Sequence, residues 1–166
     1  MGTAAGGGIV AAMKRDARFS ADRRYRYALW RKWDTGGRFV MFVCLNPSTA
    51  DEEHDDATLA RCISFAQSWG FGGLRLANLF AFVATKPKIL FKQRNPVGDA
   101  NDQFLCDLAE KSETVIAGWG NRGGYLQRDE SVRKILPHLH YLRLTKAGYP
   151  SHPLYLPKSL KPKRWQ

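Results

Sequence analysis

Acidic residues are scarce in this chain of 166 residues: 15 Asp and Glu stand against 26 Lys and Arg, a net charge of +11. Such a deficit favours polyanionic partners, nucleic acid above all, through steering and counterion release. A basic protein without that partner is the alternative. Cysteine is scarce too. Cys44, Cys62 and Cys106 are odd in number and far apart, each inside an apolar pattern. That argues against a disulfide framework and fits buried thiols in a reducing compartment. No Cys/His spacing suggests zinc. No apolar run approaches a membrane span, and the Gly/Ala-rich residues 1–12 lack the basic head and long apolar core of a signal peptide. The expectation is a cytoplasmic monomer with no membrane partner, no cofactor and no metal.

What is present is enough apolar sequence for one packed domain. The chain is organised around Phe39–Leu45, an unbroken apolar run that passes into Asn46-Pro47-Ser48-Thr49. Such a run, closed by turn residues, reads as a strand buried on both faces at the centre of a parallel α/β sheet. Ligands of these sheets bind beyond the carboxyl ends of the strands. Asn46, Pro47 and Ser48 would lie there.

Upstream, Tyr25–Trp33 partly alternates, and the turn at Asp34–Gly37 predicts an antiparallel hairpin into Phe39–Leu45. Downstream, an acidic loop over 51–56 leads to a helix from about Asp56, with Asp55 or Asp56 as N-cap. Leu59, Cys62, Ile63, Ala66 and Trp69 form its apolar stripe, and Gly70 ends it. Leu74–Phe80 predicts a second inner strand that carries Asn78 to its carboxyl end. A long loop through Asn95-Pro96-Val97-Gly98 exceeds what a connection needs. Asp99 caps a predicted helix to about Lys111, Thr114–Gly120 is a third strand, Tyr125–Leu136 a helix, and Leu139–Leu144 a fourth strand. The alternation predicts a three-layer α/β/α domain over residues 19–157. Its central, mainly parallel sheet has about four strands, plus an N-terminal hairpin strand. Residues 1–18 read as a flexible tail and 158–166 as an irregular basic tail.

Tyr25-Arg26-Tyr27, Asn46-Pro47-Ser48-Thr49-Ala50-Asp51, Arg61-Cys62-Ile63, Trp69-Gly70, Asn78-Leu79-Phe80, Asn95-Pro96-Val97-Gly98, Trp119-Gly120 and His152-Pro153-Leu154-Tyr155 follow one another in this order. The order resembles the bacterial and phage family of unknown function DUF1643, over about residues 19–157. Where that family usually has Asp-Pro-Thr, this chain has Asp56-Ala57-Thr58, a small change at a helix start. A sparser pattern is similar to the uracil-DNA glycosylase superfamily: an Asn-Pro turn, an Asn-bearing second strand, a Trp-Gly turn and a late His-Pro-Leu. That resemblance implies a four-stranded parallel sheet with helices on both sides. It further implies that Asn46 positions an attacking water, Asn78 reads a flipped base and His152 steadies the departing base anion.

The chemistry is self-consistent. Breaking an N-glycosidic bond leaves positive charge on the sugar and negative charge on the base. One preorganised donor such as His152 is worth about 3 kcal/mol to the latter. A carboxamide orients water but is no base, so Asn46 makes for slower chemistry than a carboxylate would. Asn78 offers both a donor and an acceptor to a pyrimidine edge. Pro47, Ser48 and Tyr155 are further base contacts, with Phe80 and Trp119 as stacking platforms. Arg24, Arg26 and Arg31 of the hairpin, and Lys158, Lys161, Lys163 and Arg164 of the tail, would meet phosphates. The expected function is a nucleobase-handling protein acting on nucleic acid, DNA in the first place, by hydrolysing an N-glycosidic bond of a modified base. A non-catalytic DNA- or RNA-binding module and a small-molecule nucleotide enzyme are the alternatives. Plain structural readings stand beside these: Asn46-Pro47 as a strand-ending turn, Asn78 as a loop satisfier, His152 as a packing histidine and Trp119 as core. The acidic loop reads as favourable charge at a helix start rather than a divalent-metal site.

Overall fold

The apolar run forms the strand it predicts, and its alternation places Val40 and Phe42 on one face and Met41 and Val43 on the other, all with no exposed surface. A computed structural model describes residues 13–166. In chain order it has β1 (Lys14–Phe19), β2 (Arg26–Lys32), β3 (Phe39–Cys44), α1 (Ala57–Ser68), β4 (Gly73–Asn78), α2 (Pro87–Leu90), α3 (Asn101–Glu110), β5 (Thr114–Ala117), α4 (Arg128–Ile135), β6 (Leu139–Tyr141) and β7 (Lys163–Arg164). Short 3-10 segments occupy Asn121–Gln127 and Pro153–Tyr155.

The fold is α/β, with one mixed sheet of seven strands in the order β1-β2-β4-β3-β5-β6-β7. Strands β4, β3, β5 and β6 run parallel, while β1, β2 and β7 are antiparallel to their neighbours. The sheet is therefore larger and more mixed than the roughly four-stranded one expected. Residues 14–18, read as part of a flexible tail, belong to edge strand β1; residues 1–12 of that tail lie outside the described residues. The basic tail likewise contributes β7. No helix among the described residues is long and apolar enough to cross a membrane.

The expected hairpin does not form. Strand β4 lies between β2 and β3, so β2 pairs with β4 instead. The physical reason sits at the turn after β2. Trp33 N and Asp34 N both donate to Gly72 O, and Gly72 N donates to Arg38 O, so the 33–38 segment bridges the start of β4. A Cβ on Gly37 would fall 2.3 Å from Gly72 Cα. Two glycines allow that crossing.

Each face of β3 supports its own core. Val40, Phe42 and Cys44 pack with Leu59, Cys62, Phe65 and Ala66 of α1. Met41 and Val43 pack with Leu105 and Leu108 of α3 and Val132 of α4. Burying a side chain of this size contributes about 1.5–3 kcal/mol, so β3 is a major source of stability as well as the centre of the sheet. Helix α1 begins where Asp56 accepts from Leu59 N at 2.9 Å, and Gly70, with φ of 85°, follows its end. Asp99 does not cap α3; its Oδ1 accepts from Asn95 Nδ2 within the preceding loop, and no side chain caps that helix. Left-handed backbone at Leu126 and Gln127 breaks the helix expected from Tyr125, so α4 starts only at Arg128.

Candidate functional site

Parallel strands end together, and their following turns meet at one rim. Cys44 and Asn78 are paired at the ends of β3 and β4, which brings the Asn46 turn beside Asn78. A third wall arrives from far along the chain. Gly120 N donates to Pro150 O and Ser151 N to Arg143 O, pinning the segment that carries His152. A Cβ on Gly118 would lie 2.9 Å from Pro153 Cδ, so the bare backbone after β5 is what lets the His152-Pro153 turn settle on the sheet end. Arg61 of α1 donates to Leu156 O and ties the same turn down from the other side.

These elements enclose a cavity lined by Arg26, Cys44, Asn46, Ser48, Asp56, Thr58, Leu76, Asn78 and His152. Its volume is about 30 Å³, room for a water molecule and far below the 300 Å³ or more usual for ligand pockets. Asn46, Ser48, Asn78 and His152 thus come together. Asn46 Nδ2 donates to Pro47 O and Ala84 O at 2.9 and 2.8 Å, so only its Oδ1 is left to accept from a ligand or water. Asn78 Oδ1 accepts from Arg26 Nη2 at 3.4 Å, which leaves its amide NH2 as the donor. His152 Nδ1 accepts from Leu154 N at 3.2 Å. The proton of the neutral ring is then on Nε2. Burial holds the His152 pKa below its ordinary value, opposed by the nearby Asp56 charge.

Arg26 is the unusual member. Expected to meet phosphates, it is instead 2% exposed, and it makes no ion pair within 4 Å among the described residues. Nη1 donates to Ala50 O at 3.0 Å, while Nε has no partner. Burial pushes its pKa down to about 10, with the Asp56 charge acting the other way. An incompletely satisfied buried cation is costly, and this one faces a cavity. Asp56 supplies the balancing carboxylate: Oδ1 caps α1 and Oδ2 accepts from Ala50 N at 3.3 Å. The cavity therefore contains a carboxylate that sequence reading took only as a helix cap.

Several expected site residues are elsewhere. Phe80 has no exposed surface and Trp119 only 2%. Phe80 packs on Tyr125 and Trp119 on Trp165, so neither ring presents a face for stacking. Arg31 is wholly buried and does not face phosphate. It donates to Asp55 Oδ1, Asp51 O and His54 O, which fixes the acidic loop on its way to Asp56. Two backbone N–H groups, of Glu53 and His54, hold the Asp51 pKa down at about 2. Arg24, Lys158, Lys161, Lys163 and Arg164 are exposed. Pro47 is buried, whereas Tyr155 is 84% exposed, its ring centroid 6.5 Å from that of His152.

Two supporting residues carried no sequence signal. Asn101, fully buried, donates from Nδ2 to Asn78 O and Leu79 O, both at 3.0 Å. Arg128 Nε donates to Leu79 O at 2.7 Å. Together they clamp the carboxyl end of β4 and fix where Asn78 points. The family described as "Protein of unknown function (DUF1643)" matches residues 26–154, a span that includes every residue lining the cavity. No curated protein and no solved structure matches the chain.

Proposed function

Given that the chain belongs to the DUF1643 family, whose name assigns no activity, we propose from the site itself that it handles a nucleobase in DNA and hydrolyses the N-glycosidic bond of a modified base. One observation carries this reading: a neutral histidine donor and a buried, half-satisfied arginine converge with a carboxylate on one rim cavity. The two cationic or donor groups suit negative charge that develops on a leaving base, and Arg26 acts from a buried position. In the bond-breaking step the C1′–N pair departs with the base, whose oxygen receives the His152 Nε2–H hydrogen bond and the field of Arg26. Water adds to C1′ and gives its proton to Asp56, with Asn46 Oδ1 orienting it. The base anion afterwards takes a proton from solvent. Both Asp56 oxygens already accept backbone N–H groups, so taking that proton means giving up one of these hydrogen bonds, which makes for slow chemistry.

The cavity as it stands holds about 30 Å³, so a base enters only if its walls open. A second reading is recognition of a base without cleavage, with Tyr155, 84% exposed, as the stacking ring. Free base released from oligonucleotides carrying uracil or modified bases distinguishes the two. Cleavage predicts release that falls about 100-fold or more in His152→Ala. No release across a broad panel with protein in excess over DNA refutes cleavage, and base-selective binding in that case establishes the second reading.

A further inference from the structure

At the amino ends of the parallel strands, opposite the rim, the face of the sheet that carries α3 is only partly covered. An open groove of about 480 Å³ runs between α3 and strands β1 and β2. Its walls carry five cations, Lys14, Arg18, Lys32, Arg75 and Lys111, and one carboxylate, Asp107. Lys14 and Lys32 are directly opposite each other across β1 and β2, a pairing of like charges that destabilises a sheet. Neither they nor Lys111 form an ion pair among the described residues.

Aromatic rings alternate with these charges. The Arg18 guanidinium lies 4.9 Å from the Trp30 ring, and Arg75 lies 3.9 Å from that of Phe39. Arg75 is also held by Lys111 O and Ser112 Oγ at 2.7 and 3.2 Å, so its charge is fixed in place rather than waving on a free stem. A basic groove interleaved with aromatics is the chemistry of single-stranded nucleic acid: cations follow the phosphates and rings take the bases. Arg18 pairs with Asp16 at 3.0 Å, and the remaining excess of three charges exceeds what a mononucleotide needs.

We infer that this groove is a second nucleic-acid site, binding a short single-stranded segment, DNA or RNA, independently of the rim cavity with which it shares no residue. The test is fluorescence anisotropy of labelled dodecamers, oligo-dT and oligo-rU, with the full chain. Three phosphate contacts give a slope near −0.7 each, so affinity falls about 20-fold between 50 and 200 mM salt. Lys14→Glu with Lys111→Glu is expected to weaken binding more than tenfold and flatten that slope. Lys134→Glu with Lys146→Glu, the same change in net charge on exposed positions outside the groove, is the control and is expected to lose less than threefold. Equal losses in the two variants overturn the site and leave only the general attraction of a basic protein. Mononucleotides that compete as well as oligomers overturn the strand reading. Base release failing at the rim while groove binding persists refutes the rim chemistry alone; the dT and rU arms report which nucleic acid the groove prefers.

Discussion

Replacing Arg26 by methionine separates what the fold needs from what the site needs. Burial holds the Arg26 pKa at about 10, against an ordinary value above about 12; at about 1.4 kcal/mol per pH unit, keeping the charge inside costs about 3 kcal/mol. Methionine fills a similar volume and removes that penalty. Opposing it, Ala50 O and Asn78 Oδ1 lose their donors, and each unpaired buried acceptor costs about 1–3 kcal/mol. The Asn78 contact, at 3.4 Å, belongs at the low end of that range. The contributions are of like size and opposite sign, so Arg26→Met is expected to change stability by less than about 2 kcal/mol in either direction. Urea unfolding measures it, since a shift of that size moves the midpoint by about 1 M or less at an m value near 2 kcal/mol/M. Base binding or release at the rim is expected to fall more than tenfold in the same variant. A loss above about 4 kcal/mol with m unchanged refutes the reasoning. It would mean that the guanidinium is fully compensated where it is and has no charge to offer a ligand. Arg26→Ala is a poorer probe, because a cavity penalty of about 2–4 kcal/mol would mask the electrostatics.

Gly118→Ala is expected to cost about 1–3 kcal/mol by overpacking against Pro153 and to weaken rim activity further, because the shifted turn carries His152; a crystal structure of the variant with His152 unmoved would reject this. A pH effect follows from His152. Its folded pKa lies below the unfolded value of about 6.5, since burial disfavours the cation. Its contribution is therefore present above pH 6.5 or so and is lost as pH falls through the folded pKa. The urea midpoint is expected to drop between pH 7.5 and 5.5 in the wild type and to drop less in His152→Gln. Asp51, held down at about 2, acts in another window: its stabilisation is present above about pH 4 and is lost towards pH 2, so it does not confuse the histidine measurement.

Strand β3 and helix α1 were legible because their signals are local. An apolar run, an Asp cap at position 56 and a left-handed glycine at position 70 each fix structure within a few residues. The β2–β4 pairing was not legible. Which strand covers the free edge of β4 depends on the backbone crossing at Gly37 and Gly72, two residues far apart in sequence whose contact no local pattern encodes. Strand β1 was hidden for a different reason. Lys-Arg-Asp-Ala-Arg-Phe has one buried residue, Ala17, as befits an edge protected by charge, and such a strand has no hydrophobic alternation to detect. Left-handed Leu126 and Gln127 lie in a sequence that propensity alone reads as continuous helix.

The rim was legible in its asparagines and histidine, which carry turn and motif signals, and illegible in Arg26 and Asp56, whose meaning depends on burial. Charge in a strand reads as solvent contact, and Asp before a helix reads as a cap; here each faces the same cavity. That pairing bears on what the cavity can hold. One cation and one carboxylate leave it near neutral in net charge, so a phosphate gains little there, and the groove at the far end of the sheet is the better anion site. Under the proposed cleavage a neutral base would gain little on arrival as well, but once its bond to the sugar stretched, His152 and Arg26 would meet the negative charge it develops. Interactions that strengthen only as the reaction proceeds lower a barrier without tightening ground-state binding. A near-neutral pair of opposed charges would therefore suit the proposed bond cleavage better than storage of an anionic ligand, and an Asp56 whose two oxygens are both hydrogen-bonded would have to release one of those bonds to take a proton.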